Sequence, residues 1–274
     1  MADHVADYRE RGYAIVRGVF APSEVAAIGA AMDQVYAEGV ARGASWRHGN
    51  LFYNVMPGPD GAPHVPMVQW PSYHNAILAQ ARRDPRYVEI LEPLIGRDLK
   101  QIINQLHWKL PHSRGDFAWH QDSRFRRPVE AYRNLGTSYV QTGLAIDPHN
   151  PDTGGMRFIP GSHRQGPVDL DTTTEVLGNA PQDAALEAAG LSPDDQVDLI
   201  LEPGDVALWN PYLVHASGTN TSDHLRRLYI NGYVSAADCD RGEWAFRDGK
   251  PVPLGKPALV HYEELFERGE PHYV

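Results

Sequence analysis

The stretch Phe117-Ala118-Trp119-His120-Gln121-Asp122 places an imidazole and a carboxylate two residues apart inside an apolar run. Alternate side chains of a β-strand point to the same face, so we expect His120 and Asp122 to face one cavity. This combination suits a metal ion. The pair alone carries little weight, because a chain with 13 histidines should contain about one such pair by chance. The surrounding sequence must therefore decide whether it forms a site.

Extended segments are concentrated beyond residue 98 and predict the fold class. They lie at 99–110, 117–122, 137–147, 157–159, 198–201, 206–210 and 227–234. Turns separate them without regular alternation of helix and strand, which favours an antiparallel sandwich or barrel over a Rossmann-type sheet. A strand at 13–20 precedes them, as do helices that begin at Pro22 and at 73–83 and 85–96, which we expect to cover one sheet face. Residues 44–72 are predicted either as short strands and loop lining a pocket, or as plain surface loop.

The chain is predicted to form a single domain over residues 1–274. It divides into a helical N-terminal layer at about 20–97, a β core at about 98–235 and a C-terminal extension at 236–274 with a helix at 260–268. Residues 164–197 form a long insertion with one short helix around 182–189. This insertion is predicted either as a mobile flap or as a solvated excursion.

Composition excludes several classes of function. The formal charge of -10 and a pI near 5.7 argue against a nucleic-acid partner, which requires clustered Lys and Arg. Cys239 is the single cysteine, so neither an intramolecular disulfide nor a cluster of thiolate ligands is possible, and a metal would be held by His and carboxylate. No apolar run reaches the length of a membrane span or a signal peptide, which predicts a cytoplasmic protein without a membrane partner. The sequence predicts no particular oligomeric state.

A second informative stretch lies about a hundred residues after the first. Pro203-Gly204-Asp205 predicts a tight turn into a strand, and the loop at 218–223 precedes an alternating strand. This connection can bring His215 and Arg226 toward the same cavity. If His215 joins His120 and Asp122, the three form the two-histidine, one-carboxylate triad that is typical of non-haem Fe(II) oxygenases.

The chain resembles the phytanoyl-CoA dioxygenase family in four motifs that occur in the same order. They are His120-Gln121-Asp122, the glycine-rich segment from Gly154-Gly155 to Gly161-Ser162-His163, the Pro203-Gly204-Asp205 turn, and His215 followed eleven residues later by Arg226. The resemblance implies a mainly β fold with flanking helices, built on a double-stranded β-helix, the jelly-roll core of the cupins. It also implies an Fe(II)- and 2-oxoglutarate-dependent dioxygenase of the hydroxylase type that consumes O2.

The resemblance also implies roles for individual residues. His120, Asp122 and His215 match the iron ligands, and Arg226 matches the residue that pairs with the distal carboxylate of 2-oxoglutarate. A guanidinium is planar and always charged, so it can bind a carboxylate through two parallel hydrogen bonds. Ser217 matches a hydroxyl that supports the same carboxylate.

Further cosubstrate contacts are expected by position. Gln105 matches a residue that lines the cosubstrate and belongs to a Gln-x-x-x-Lys arrangement with Lys109, while Gln141 or Thr142 is expected on the facing strand. Some relatives carry a basic residue before an upstream Val-Gln pair, where this chain has Met67-Val68-Gln69. Part of their cosubstrate contact is therefore expected to be missing or replaced here.

The reaction implied by the resemblance is hydroxylation of a C–H bond in a small metabolite, with release of succinate and CO2. Because Asp122 is a carboxylate, it fills the position that a halogenase leaves for chloride. Lys109, Arg126 and Trp209 are candidate substrate residues. The aromatic side chains expected to line the pocket are Trp46, Tyr53, Trp70, Trp119 and Trp209.

Four arginines follow Asp122 closely and suggest an anionic substrate group. They are Arg124, Arg126, Arg127 and Arg133. Some of them could bind a carboxylate, phosphonate or phosphate, whereas a solvated loop with paired charges is the alternative for each.

Two functions from other classes stay open. A non-oxidative metal enzyme, such as a zinc hydrolase or a cupin-type isomerase, could use the same triad, although Arg226 counts against it. A non-catalytic small-molecule binder of the same fold would be suggested by the loss of a ligand, and none is lost.

Overall fold

The structure is a computed structural model that describes residues 4–58, 60–170, 176 and 179–255. The predicted helix at 260–268 lies outside these residues. The described helices are α1 (His4–Arg11), α2 (Pro22–Arg42), α3 (Ala76–Ala81), α4 (Pro85–Ile95), α5 (Leu135–Ser138) and α6 (Asp183–Ala188). The described strands are β1 (Tyr13–Val16), β2 (Trp46–His48), β3 (Leu51–Pro57), β4 (Pro63–Gln69), β5 (Leu99–Lys109), β6 (Phe117–His120), β7 (Tyr139–Ala145), β8 (Met156–Phe158), β9 (Val197–Asp198), β10 (Val206–Trp209), β11 (His215–Ser217), β12 (Arg226–Ser235), β13 (Glu243–Arg247) and β14 (Lys250–Pro251).

Two antiparallel sheets form the centre of the molecule. The larger sheet has the order β1-β10-β7-β12-β5-β4-β3-β2, with β13 also paired to β5 and β14 paired to β13. The smaller sheet has the order β6-β11-β8-β9. This arrangement confirms the predicted mainly β fold with flanking helices, and every pair of described strands is antiparallel, although most partners are far apart in the sequence.

Capping side chains set where two of the helices begin. The Asp84 side chain accepts a hydrogen bond from the Arg86 amide at 3.0 Å and so caps α4. The helix predicted at 73–83 begins later, at Ala76, because the Asn75 side chain caps the amides of Ile77 and Leu78 there.

Residues 44–72 contribute three strands to the larger sheet. β4 pairs with β5, where Gln69 lies opposite Gln105, and β3 and β2 extend the sheet outward. The N-terminal segment at 20–97, which was predicted as a helical layer, therefore also contributes the strands at one edge of the larger sheet. Scattered Gly and Pro residues between 44 and 72 obscure the alternation of these three strands in the sequence.

The two faces of the larger sheet have different partners. On β7, Val140 and Leu144 join the core that is formed with α2 and α4. On the other face, Ala145, Trp209 and Leu228 pack against Met156 and Phe158 of the smaller sheet. Residues at odd positions of β7 therefore face the interior between the two sheets.

The described part of the 164–197 insertion covers the outer face of the smaller sheet. Leu170, Leu186 and Leu191 pack on Trp119 and Val214, which point away from the interior. The predicted short helix is present as α6, and most of the described residues of this insertion are half-buried or exposed. Their leucines are buried against the strands that carry the histidines.

Among the described residues, no helix is both long enough and apolar enough to cross a membrane.

Candidate metal centre and cosubstrate pocket

Three predicted ligands meet between the two sheets. His120 at the end of β6 lies opposite His215 at the start of β11. Asp122 Oδ1 is 4.0 Å from His120 Nε2, and Asp122 Oδ2 is 3.9 Å from His215 Nε2. One donor atom from each residue can be chosen so that all three lie within 4.8 Å of one another.

Asp122 reaches the histidines by a different route from the one predicted. β6 ends at His120, and Asp122 begins a 3-10 turn over Asp122–Phe125. The expectation of one continuous strand over 117–122 is wrong. A carboxylate on this turn still lies beside the imidazoles because the chain bends around the strand end.

Backbone carbonyls orient both imidazoles. His120 Nδ1 lies 2.8 Å from the Ala118 carbonyl oxygen, and His215 Nδ1 lies 2.9 Å from the Leu213 carbonyl oxygen. A carbonyl oxygen only accepts, so Nδ1 carries the proton and Nε2 keeps its lone pair for a metal. Burial, together with the neighbouring His215, lowers the pKa of His120 to about 3, which keeps this imidazole neutral.

Trp209 fixes the carboxylate. Its indole Nε1 donates a hydrogen bond to Asp122 Oδ2 at 2.8 Å, and only 1% of its surface is exposed. Burial alone would raise the pKa of Asp122, but the nearby His215, His120 and Arg126 and this hydrogen bond lower it below the usual value. Trp209 therefore supports a metal ligand, and its role as a substrate residue stays a prediction.

The donor set fits a divalent transition metal such as iron. Two neutral imidazole nitrogens and one carboxylate oxygen converge from one side, and all three side chains are buried. This is the ligand combination of non-haem Fe(II) sites with open positions for other ligands.

Arg226 lies in the same interior without a carboxylate partner among the described residues. It is 3% exposed, its Nη2 donates to the Gly154 carbonyl at 3.2 Å, and its Nε makes no hydrogen bond within the described chain. Burial lowers its pKa to about 10. A buried cation of this kind is costly unless an anion binds it.

Arg227 shows the contrast. It points to the opposite face, as strand alternation predicts, and pairs with Asp147 and Asp33 at 2.9 Å each. Arg227 therefore has carboxylate partners within the protein, whereas Arg226 has none among the described residues.

Lys109 and Ser217 complete the pocket around Arg226. Lys109 lies opposite Arg226 in the β5–β12 pair, and its Nζ donates to Ser217 Oγ at 2.8 Å and to the carbonyls of Gly154 and Gly218. Burial and Arg226 lower the pKa of Lys109. The structure places Lys109 beside Arg226 and Ser217, while its candidate role as a substrate residue is left untested by these contacts.

The glycine-rich motif allows this close packing. Gly154 has φ +69°, and a Cβ there would lie 2.6 Å from the Gly218 carbonyl oxygen. Only glycine fits this conformation and contact without strain.

Gln105 lines the interior beside a histidine that the sequence analysis did not identify. His107 Nε2 lies 3.1 Å from Gln105 Oε1, and both share a β5 face with Lys109. Burial, followed by Arg226 and Lys109, lowers the pKa of His107 to about 3, so it is neutral. The two-residue spacing of Gln105, His107 and Lys109 could have indicated this shared face.

Gln141 and Thr142 lie on opposite faces of β7. Gln141 faces the interior, accepts a hydrogen bond from the Tyr139 hydroxyl, and lies opposite Trp209 in the β7–β10 pair. Thr142 shares the helix-covered face with Val140 and donates to the Asn231 carbonyl at 2.9 Å. The expectation of a cosubstrate contact from Thr142 is therefore corrected.

The expected aromatic lining is also revised. Trp46 and Tyr53 pack with the helix-covered core, and Trp119 packs on the outer face of the smaller sheet. Arg126, by contrast, is buried near the triad with its guanidinium carbon 5.4 Å from the centre of the Tyr139 ring.

Comparisons with known proteins agree with this geometry. The dioxygenase lolE1 of Epichloe uncinata is 27% identical in a region that covers 53% of this chain. The same region spans about half (49%) of the length of that relative. A probable alpha-ketoglutarate-dependent hypophosphite dioxygenase of Stutzerimonas stutzeri is 23% identical over 86% of this chain and 79% of its own length.

Solved structures share the fold. EctD from S. alaskensis, solved with 2-oxoglutarate and 5-hydroxyectoine, has a TM-score of 0.67 at 20% identity and covers 96% of this chain and 87% of its own. The epimerase SnoN, solved with Fe3+, alpha ketoglutarate and nogalamycin RO, has a TM-score of 0.63 at 21% identity. The match covers 93% of this chain and 96% of SnoN. A profile of the family described as phytanoyl-CoA dioxygenase matches residues 8–228. The chain belongs to the phytanoyl-CoA dioxygenase family.

Proposed function

We propose that this protein is an Fe(II)- and 2-oxoglutarate-dependent dioxygenase that hydroxylates a C–H bond of a small metabolite and releases succinate and CO2. The observation that carries the proposal is the buried Arg226, which has no carboxylate partner in the described chain and lies in the same interior as His120, Asp122 and His215. Arg226 favours this function over a non-oxidative metal enzyme, because 2-oxoglutarate supplies a carboxylate for the buried guanidinium.

The triad residues would hold the iron through two imidazole Nε2 atoms and the Asp122 carboxylate. When bound there, iron supplies oxidation by O2 coupled to decarboxylation of 2-oxoglutarate. The protein's own part is to hold ligands and cosubstrate in register and to exclude water. Trp209 contributes by fixing Asp122 through its 2.8 Å hydrogen bond.

The Arg226 pocket would hold the distal carboxylate of the cosubstrate. Arg226 offers guanidinium donors, and Ser217 offers a hydroxyl whose oxygen already accepts from Lys109 at 2.8 Å. Two buried cations lie side by side, and a carboxylate between them would relieve their repulsion. Gln105 and Gln141 would line the interior around the rest of the cosubstrate.

The substrate class is supported by size and by the relatives. Proteins with matching sequence are named for hypophosphite, 2-aminoethylphosphonate and ectoine, all small polar molecules.

The formal charge of -10 does not suit a nucleic-acid partner, and the free, buried Cys239 fits a reducing compartment such as the cytoplasm.

Succinate release tests the proposal. Protein loaded anaerobically with Fe(II), then given 2-oxoglutarate and O2, is expected to release succinate slowly even without its substrate. Asp122→Ala should abolish this turnover because one of three ligands is lost, while Asp33→Ala on the surface of α2 should keep it. No succinate from the wild type, with or without a panel of metabolites, would favour the non-oxidative enzyme or the binder.

A further inference from the structure

The structure separates the four arginines that follow Asp122. Arg133 is half-exposed and pairs with Asp240 at 2.8 Å. Arg127 is exposed and donates to the Arg126 carbonyl at 3.2 Å, and Arg124 lies over the Phe125 ring at 5.2 Å. Arg126 is the one member of this group that is buried, with 3% of its surface exposed.

The Arg126 guanidinium has unused donors. Its Nε and Nη1 are buried and make no hydrogen bond within the described part of the chain. No described carboxylate forms an ion pair with it, and its guanidinium carbon lies 5.4 Å from the centre of the Tyr139 ring. A buried guanidinium with unpaired N–H groups costs free energy that a bound anion would recover.

Arg126 and Arg226 lie toward opposite ends of the interior. Arg226 is the first residue of β12, whereas Gly232, six residues later, lies against the Tyr139 hydroxyl and opposite Gln141. Six residues of strand span roughly 20 Å. The Arg126 guanidinium lies beside the Tyr139 ring and therefore toward the other end of the interior from the start of β12. A cosubstrate carboxylate held by Arg226 leaves the Arg126 donors for a different anion.

The triad lies between the two. Ser217, which contacts the Arg226 pocket through Lys109, follows His215 by two residues on β11. Trp209 lies opposite Gln141 and holds Asp122. Arg126 is also close enough to contribute to the lowered pKa of Asp122. An anion on Arg126 would thus approach the metal centre from the Asp122 side.

We infer that Arg126 binds the anionic group of the substrate, and that this group is a compact oxyanion, a carboxylate or a phosphonate, attached close to the carbon that is oxidised. This inference rests on the proposed function. It assigns the two buried arginines to different molecules, with Arg226 binding the cosubstrate and Arg126 the substrate.

Calorimetric titration of the complete protein tests the inference. Fe(II)-loaded protein with saturating 2-oxoglutarate is titrated without oxygen with methylphosphonate, acetate and neutral acetamide. We expect the wild type to bind one of the two anions and not to bind acetamide. The anion that binds more tightly shows whether the substrate carries a phosphonate or a carboxylate. Arg126→Gln should weaken that anion about 10- to 100-fold, the range expected for a lost charge-assisted hydrogen bond.

Arg127→Gln is the matched control because it removes the same charge from the next, exposed residue, and it should leave the affinity for the anion within about twofold of the wild-type value. Arg126→Lys keeps the charge and should bind with intermediate affinity, which preserves the test if the Gln variant does not fold. The 2-oxoglutarate affinity should be unchanged in all three variants.

Three outcomes would overturn the inference. The wild type binds neither anion; Arg126→Gln and Arg127→Gln lose affinity equally; or Arg126→Gln weakens 2-oxoglutarate as much as the anion, which would make Arg126 a positioning residue for Asp122. Succinate release by the wild type without any probe reports separately on the proposed function, so the two failures are distinguishable.

Discussion

At the scale of single residues, the site depends on contacts that join distant parts of the chain. The convergence of His120, Asp122 and His215 was predicted mainly from the order of the motifs shared with a known family, because the strand that was expected to carry Asp122 ends at His120. The hydrogen bond from Trp209 to Asp122 could not be predicted, since it depends on the register of β10 and on the turn that follows β6. Thr142 was misassigned for the same reason, because adjacent residues of a strand differ only in which face they occupy.

Trp209→Phe tests the support of the metal ligand. The phenyl ring retains most of the packing but has no N–H, so we expect metal affinity to fall about 10-fold, as for other partners of ligating residues. Trp119→Phe is the control, because Trp119 adjoins His120 but packs on the outer face of the smaller sheet. Competition with a chelator measures both affinities. Equal losses in the two variants would contradict the role of the indole N–H.

At the scale of elements, the long strands, the capped helices and the short strands β8 and β10 were predicted near their observed bounds, whereas β11 was not. β5 and β12 have the length and composition of strands, whereas β11 is three residues long and reads as part of a loop. Its pairing with β6 and β8 makes it a strand, and pairing is not visible in local sequence. The position of the 164–197 insertion likewise depends on tertiary contacts.

Gln121 joins that insertion to the metal centre. Its side-chain amide donates to the carbonyls of Gly166 at 2.9 Å and Tyr212 at 2.6 Å, and its Oε1 accepts from the Val168 amide at 3.0 Å. Gln121→Ala should lower the free energy of unfolding by about 2–3 kcal/mol, because buried groups lose their partners. Urea denaturation measures this change, with the exposed Gln80→Ala as control. A loss below about 0.5 kcal/mol, which is usual for a surface substitution, would refute the link.

At the scale of the whole molecule, the distribution of charge matters more than its sum. The chain carries a formal charge of -10, yet Lys109, Arg126 and Arg226 are buried between or beside the sheets without a carboxylate partner among the described residues. The acidic composition argued against a nucleic-acid partner, but it could not reveal cations in the interior. Such an interior favours small anions.

The affinity for 2-oxoglutarate tests the central claim most directly. Calorimetry on Fe(II)-loaded protein without oxygen compares the wild type with Arg226→Gln and with Arg227→Gln, whose guanidinium is already paired with Asp147. Loss of a buried charged partner costs about 3 kcal/mol, so Arg226→Gln should bind 2-oxoglutarate about 100-fold more weakly, while Arg227→Gln stays within about threefold of wild type. Equal affinity in all three proteins would contradict the account.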